Sequence, residues 1–171
     1  MKDNCDAICD EWRNEFDNEN LHSISSFYDL STNDIDGVQV NFDEFRGKIV
    51  VIVNIAKYST NEQHYKELIE LHQEYKGMAI EILVFPSLTE SSLSKLRQFA
   101  ARQLHIMERI NVNGKDSHVV YKWLKKNIGA MEIDVGTYFV IDMEGDVMDY
   151  AGASSGDLRD VFYMLLDEEE L

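Results

Sequence analysis

Apolar positions along the chain form either short unbroken runs or longer spaced stripes, and the two patterns predict different elements. Ile49–Val53 is an uninterrupted β-branched run, which reads as a strand buried on both faces. Ile80–Phe85 reads as a second buried strand, stopped by Pro86, the only proline. Between them, a helix from Ser59 to about Lys76 turns Tyr65, Leu68, Ile69, Leu71, His72 and Tyr75 to one side and ends at Gly77. Ser92–Gln103, with Leu93, Leu96, Phe99 and Ala100, and Ser117–Asn127, with Val120, Tyr121 and Leu124, have the same helical spacing. Gly156–Glu169 is the last helix, carrying Leu158, Val161, Phe162 and Leu165 inward.

Phe27–Leu30 and Val38–Phe42 flank the turn-rich Asn33–Gly37 and predict a hairpin. Ile106–Val112 is a short extended stretch, and Tyr138–Ile141 returns as Val147–Tyr150 through Asp142-Met143-Glu144-Gly145. Ahead of all this, Asp3–Asn18 predicts an amphipathic helix, with Asp3 as its N-cap and Cys5, Ile8, Cys9, Trp12 and Phe16 on one stripe. That stripe can dock on the chain's own body or on a partner. A βαβ unit followed by an antiparallel pair and a closing helix predicts an α/β fold of the thioredoxin-like kind, with the N-terminal helix added to it. The domain boundaries expected are an acidic helical extension, 1–25, and a single α/β domain, 26–171.

In open α/β folds chemistry sits where a central strand hands over to the next helix. Here that turn reads Lys57-Tyr58-Ser59-Thr60, with no cysteine, histidine or glycine-rich phosphate loop. Ser59-x-x-Glu62 has the spacing of a capping box, the hydroxyl taking the Glu62 amide and the carboxylate returning to the Ser59 amide. No His/Asp pattern supports a serine nucleophile.

Charge narrows the partners. The 171 residues carry a formal net charge of −16, and the first 20 hold seven acids against two bases. No basic patch is available to neutralise phosphates, so nucleic acid is excluded as a partner, and an anionic membrane surface with it. No apolar run approaches the ~20 residues of a membrane span, so insertion is not expected, and Met1-Lys2-Asp3-Asn4 is not the start of a signal peptide. Two cysteines argue against a disulfide scaffold and predict a reducing, cytoplasmic location. Cys5 and Cys9, four apart on a helix, have Cβ atoms ~5–6 Å apart, too far for a disulfide's ~3.5–4.5 Å. Their apolar neighbours mark them as buried thiols. The five histidines show no ligand spacing, and neither a metal site nor a cofactor is expected.

From Ser26 onward the chain resembles the glutathione peroxidases. SFYDL at Ser26–Leu30 is similar to the family's S-I-Y-D-F, and GKIVVIVNIA at Gly47–Ala56 to G-K-V-x-L-I-V-N-V-A. EILVFP at Glu81–Pro86 resembles E-I-L-A-F-P; Val112-Asn113-Gly114 and Tyr121–Lys125 resemble V-N-G and L-Y-K-F-L-K. FVIDMEG at Phe139–Gly145 resembles F-L-V-D-K-E-G, and Tyr150-Ala151 the Y-A after it. The short segment between Asn127 and Thr137 resembles the monomeric, phospholipid-hydroperoxide type, which implies a monomeric body. The resemblance also implies a tetrad of cysteine or selenocysteine, glutamine, tryptophan and asparagine. On the motifs quoted, those positions hold Ser59, Thr89, Asp134 and Val135. The resolving cysteine of thioredoxin-dependent members has no counterpart. A hydroxyl cannot pass through the sulfenic or selenenic state that peroxide reduction uses. Two functions follow as expectations. One is a non-catalytic binding or structural module whose partner is another protein, reached through Cys5, Ile8, Cys9, Trp12 and Phe16. The other is a thiol peroxidase or oxidoreductase working through Cys5 or Cys9.

Overall fold

The structure, a computed structural model, describes residues 21, 23–56, 58–100, 104–150 and 155–167. The expected helix at Asp3–Asn18, with Cys5, Ile8, Cys9, Trp12 and Phe16, lies outside these residues.

The two expected buried strands form the centre of the sheet. β3 (Ile49–Ile55) and β4 (Ile80–Pro86) pair in parallel, Ile49 opposite Ile80 through Ile55 opposite Pro86. β5 (His105–Ile106) extends the β4 side in parallel, and β6 (Tyr138–Ile141) and β7 (Val147–Tyr150) extend the β3 side antiparallel. The order among the described residues is β5-β4-β3-β6-β7. β1 (Ser31–Asn33) and β2 (Gln39–Asn41) form the hairpin. Its tip lies along β5, where the Ile35 amide donates to the Ile106 carbonyl at 3.0 Å and the Glu108 amide to the Asn33 carbonyl at 2.9 Å.

Because side chains alternate along a strand, β3 and β4 feed two core layers. Ile49, Val51, Val53, Ile82 and Val84 face α1 (Tyr58–Glu74) and α4 (Ser155–Asp167), against Tyr65, Leu68, Leu71, Leu158 and Phe162. Val50, Ile52, Leu83 and Phe85 face α3 (Val119–Ile128), against Val120, Tyr121 and Leu124. Leu21, Phe27, Phe42 and Phe45 belong to this second layer, and Leu21 is only 1% exposed. The chain that precedes the domain is therefore anchored in the core at that point. α2 (Leu93–Ala100) adds Leu96 to the first layer.

Several local expectations are corrected. Phe27–Leu30 is not a hairpin arm. Phe27–Asp29 is a 3-10 turn held by a capping box, with the Tyr28 amide on Ser26 Oγ (3.1 Å) and the Ser26 amide on Asp29 Oδ2 (3.0 Å). Short polar side chains captured the backbone before a ladder could. Phe42 likewise falls in a 3-10 turn, Phe42–Phe45, so the second arm ends at Asn41. The extended stretch expected at Ile106–Val112 is a strand only over His105–Ile106, with single bridges from Met107 to Asp34 and from Ile110 to Ser87. The helix expected from Ser117 begins at Val119, because His118 caps it. α1 opens at Tyr58, which puts Ser59 second in the helix rather than ahead of it, and Asn61 (φ −131, ψ 22) interrupts its first turn.

Candidate functional site

Three loops meet at one end of the sheet, and Asn54 holds them there. This residue is 3% exposed. Its Nδ2 donates to the Phe85 carbonyl at 2.8 Å, tying β3 to β4 where both strands finish. Its own carbonyl accepts the Gly136 amide at 2.8 Å, drawing in the loop ahead of β6. β6 runs antiparallel to β3, so its beginning lies beside β3's end. Ser59 follows β3, Thr89 follows β4, and Asp134 and Val135 precede β6. The positions that the sequence singles out are thus gathered at the carboxyl ends of the central strands, where open α/β sheets place ligands. Thr89, Asp134 and Val135 are exposed, Val135 by 52%. Glu62, exposed on α1, pairs with Lys66 at 3.2 Å.

The structure adds groups at this end that the pattern reading did not single out. A ring nitrogen of His64 on α1 hydrogen-bonds the Tyr138 hydroxyl on β6. Burial holds His64 below its ordinary pKa, against the opposing charge of Glu67, and the same burial raises Tyr138. The contact is therefore one between a neutral imidazole and a neutral phenol. Glu90, beside Thr89, is 2% exposed. Its Oε1 accepts the amides of Ser91 (2.9 Å) and Ser92 (2.8 Å) just ahead of α2, while its carbonyl accepts Arg109 Nη1 at 2.8 Å. A carboxylate directly before a helix that opens with serines was a legible signal for such a cap. A cleft of about 300 Å³ opens beside this loop, lined in part by Asp34, Ile35, Leu88, Leu93, Glu108 and Arg109.

Thr32, Glu108 and His118 form a cluster of catalytic residue types without catalytic geometry. Thr32 Oγ1 donates to Glu108 Oε1 at 3.0 Å, and His118 Nε2 meets the same oxygen at 3.1 Å. His118 Nδ1 accepts the Val120 amide at 3.2 Å. A nucleophile–base–acid triad needs the acid on one ring nitrogen and the hydroxyl on the other. Here Nδ1 is occupied by a helix amide, so the ring is a neutral cap whose Nε2–H faces Glu108. Burial keeps His118 below its ordinary pKa, against the pull of Glu108.

Near the opposite end of β4, Glu81 takes Lys48 Nζ at 2.9 Å and His105 Nε2 at 2.8 Å. The His105 hydrogen bond first, then that of Lys48, holds the carboxyl down at about 2, against the burial that would raise it. Among the described residues no group of three or more histidine, aspartate and glutamate side chains is placed to hold a metal ion, and no helix is long and apolar enough to cross a membrane.

Comparison with known proteins bears on this arrangement. The family profile described as GSHPx, glutathione peroxidase, matches residues 27–125. The phospholipid hydroperoxide glutathione peroxidase of Macaca fuscata fuscata is 31% identical over 157 residues, covering 83% of this chain and 75% of that protein. A chloroplastic relative from Arabidopsis thaliana is 33% identical over 138 residues, 72% of this chain, and there the chain spans 59% of the relative's length. The crystal structure of Trgpx in apo form superposes with a TM-score of 0.69 at 25% identity, over 84% of this chain and 97% of that one. A thioredoxin family thiol:disulfide interchange protein from Chlorobium tepidum TLS matches at 13% identity with a TM-score of 0.60, over 80% of this chain and 92% of that one. That last likeness is one of fold, and the expected thioredoxin-like architecture is the observed one.

Proposed function

Because the chain belongs to the glutathione peroxidase family, we propose that it is a member that has given up peroxide reduction and serves as a non-catalytic binding or structural module. The observation that carries this reading is the chemistry at the sheet end organised by Asn54. Ser59, Thr89, Asp134 and Val135 bring two hydroxyls, a carboxylate and an isopropyl group to the three loops there. None of them can become the sulfenic or selenenic acid that peroxide reduction passes through. The two cysteines of the chain, Cys5 and Cys9, stand far off in sequence, ahead of Leu21. Fold and site part company in such a protein: the scaffold persists while the reactive group is replaced. On this reading Ser59 and Glu62 serve only the start of α1, the body is a monomer in a reducing compartment, and the partner is another protein.

Peroxide-dependent oxidation of glutathione or thioredoxin tests this, measured on the wild type, Ser59→Ala, Cys5→Ser and Cys9→Ser. No variant is expected to exceed the protein-free rate, and Ser59→Ala, inside the first turn of α1, is expected to change stability by no more than about 0.5 kcal/mol. Turnover by the wild type that disappears in Ser59→Ala would overturn the proposal. Turnover that disappears only in Cys5→Ser or Cys9→Ser would instead make the chain a thiol-dependent oxidoreductase.

A further inference from the structure

Six large apolar side chains stand exposed among the described residues, and two of them, Met78 and Tyr163, line one groove. It lies on the outer side of the first core layer, where the end of α1 meets α4. α4 turns Leu158, Val161 and Phe162 into the core, the ordinary stripe of a packed helix. Tyr163, one position further round, is left 73% exposed, and Met164 44%. Met78, 54% exposed, follows the tight turn after α1. Between these helices runs a groove of about 260 Å³ lined by Tyr75, Met78, Tyr163, Leu166 and Asp167. Tyr75 forms its floor, its ring set edge-on to Phe162 at 5.0 Å.

Acids outnumber bases around the groove, Glu74, Asp160 and Asp167 against Arg159 and Lys76. Glu74 and Asp160 both act on the Tyr75 phenol, with Arg159 opposing them. Arg159 is itself bound to Glu74 at 2.7 Å. Asp167 lines the groove, and the sequence continues from it as Glu168-Glu169-Glu170. Charge then decides between occupants. A second copy would bring the same carboxylates and a net charge of −16. The chain's own Cys5–Phe16 stripe lies in a segment with seven acids and two bases. Both are repelled. An aromatic and methionine groove with an excess of carboxylates around it fits an amphipathic helix that is apolar on one face and cationic on the other. Methionine side chains re-pack around such a face readily, and a tyrosine anchor supplies contact area at little entropic cost.

We propose that the groove between the end of α1 and α4, centred on Tyr75, Met78 and Tyr163, is a docking site for a cationic amphipathic helix of a partner protein. This gives the binding-module reading a surface and a partner chemistry, and rests on that reading for its biological sense. It also moves the partner-binding surface away from the N-terminal stripe.

The test titrates the full-length chain with a fluorescein-labelled peptide of leucine and lysine in helical register, about 18 residues or some five turns long. Anisotropy reports affinity, and NMR shift changes report the location. Expected is saturable binding that shifts Met78 and Tyr163 resonances, weakens at least about tenfold between ~0.05 and 0.5 M salt, and is weakened at least about tenfold by Tyr163→Asp. Val38→Asp, an exposed apolar position on the hairpin, is the matched control and should leave affinity unchanged. A glutamate-for-lysine peptide should not bind. Equal loss in both variants, or shifts spread over the acidic surface, would mean non-specific attraction and overturn the proposal. Concentration-dependent dimerisation abolished by Tyr163→Asp would assign the groove to a second copy and overturn it as well. Peroxide turnover is measured separately, so an active enzyme with a peptide-binding groove and an inactive chain without one are distinguishable outcomes.

Discussion

Replacing His118 by alanine separates two contributions of one imidazole, because they respond differently to pH. The first is the cap: the Val120 amide loses its acceptor at 3.2 Å, a change that typically costs about 0.5–2 kcal/mol. The second is the Nε2 bond to Glu108 at 3.1 Å. Glu108 is 37% exposed, so solvent screening keeps this bond to about 1 kcal/mol or less. At pH 7.5, His118→Ala should therefore destabilise the fold by roughly 0.5–3 kcal/mol. At lower pH the wild type changes too. The unfolded chain takes up the proton near the ordinary value of 6.5, whereas the folded ring resists it, because Nδ1 is occupied as an acceptor and the ring is buried. Folding stability from this group is thus complete above pH 6.5 and falls as pH drops below it. At pH 5.5 the loss reaches at most about 1.4 kcal/mol, so the difference between wild type and His118→Ala should shrink, by no more than that amount. Burial also lowers His64 and His72, but both are present in the two proteins and cancel. Urea unfolding at pH 7.5 and 5.5, with unchanged m-values, gives the two differences. An equal or larger difference at pH 5.5 would refute the reasoning, since it would mean that the folded ring is protonated and Glu108 governs it. His118→Asn, which keeps a good capping group, should recover the cap portion and show the same weaker pH dependence as alanine.

The Lys48–Glu81–His105 cluster acts on the acid side. With the Glu81 carboxyl lowered from 4.5 to about 2, the unfolded chain protonates first, so the stabilisation is complete above pH 4.5 and is lost as pH falls towards 2. Lys48 is 38% exposed, and discounting for that leaves on the order of 2–3 kcal/mol. Glu81→Gln should flatten the acid limb of a stability–pH curve measured by chemical unfolding, and a limb that keeps its steepness would assign acid sensitivity elsewhere. Gly145→Ala should be among the most damaging small substitutions. Its φ is +88° and an added Cβ would lie 2.8 Å from Tyr28 Cε2, which combines backbone strain with a clash for roughly 2–4 kcal/mol. Tyr28 is also held by its hydroxyl to the Met143 carbonyl at 3.0 Å, so its ring cannot swing clear freely. Thermal unfolding reads this directly, and a melting temperature within a degree or two of wild type would show that the turn relaxes.

Local pattern determined a good part of this molecule. Ile49–Val53 reads as a buried strand, since a continuous β-branched run leaves no polar face for water, and Ile80–Phe85 reads as its partner with Glu81 the one polar side chain. The stripes of α1, α3 and α4 named their inward residues because helical period and burial are one constraint. The sequence also marked Ser59, Thr89, Asp134 and Val135, which lie far apart along the chain. What it could not supply was anything set by a partner distant in sequence. Phe27–Leu30 and Val38–Phe42 flank a turn as hairpin arms would, and the Ser26–Asp29 cap with the packing of Phe27 on Phe42 and Trp123 decided otherwise. His118 meets Glu108 and Thr32, 10 and 86 positions away, through its other ring nitrogen only in the folded chain. His64 and Tyr138 are 74 residues apart and meet only because β6 lies antiparallel beside β3. Tyr163 looks in sequence like one more residue of an amphipathic helix. It became the edge of a groove because α4 crosses the end of α1, leaving one more aromatic ring than the core could take. Periodicity is a property of neighbours along the chain, and these features depend on neighbours in space.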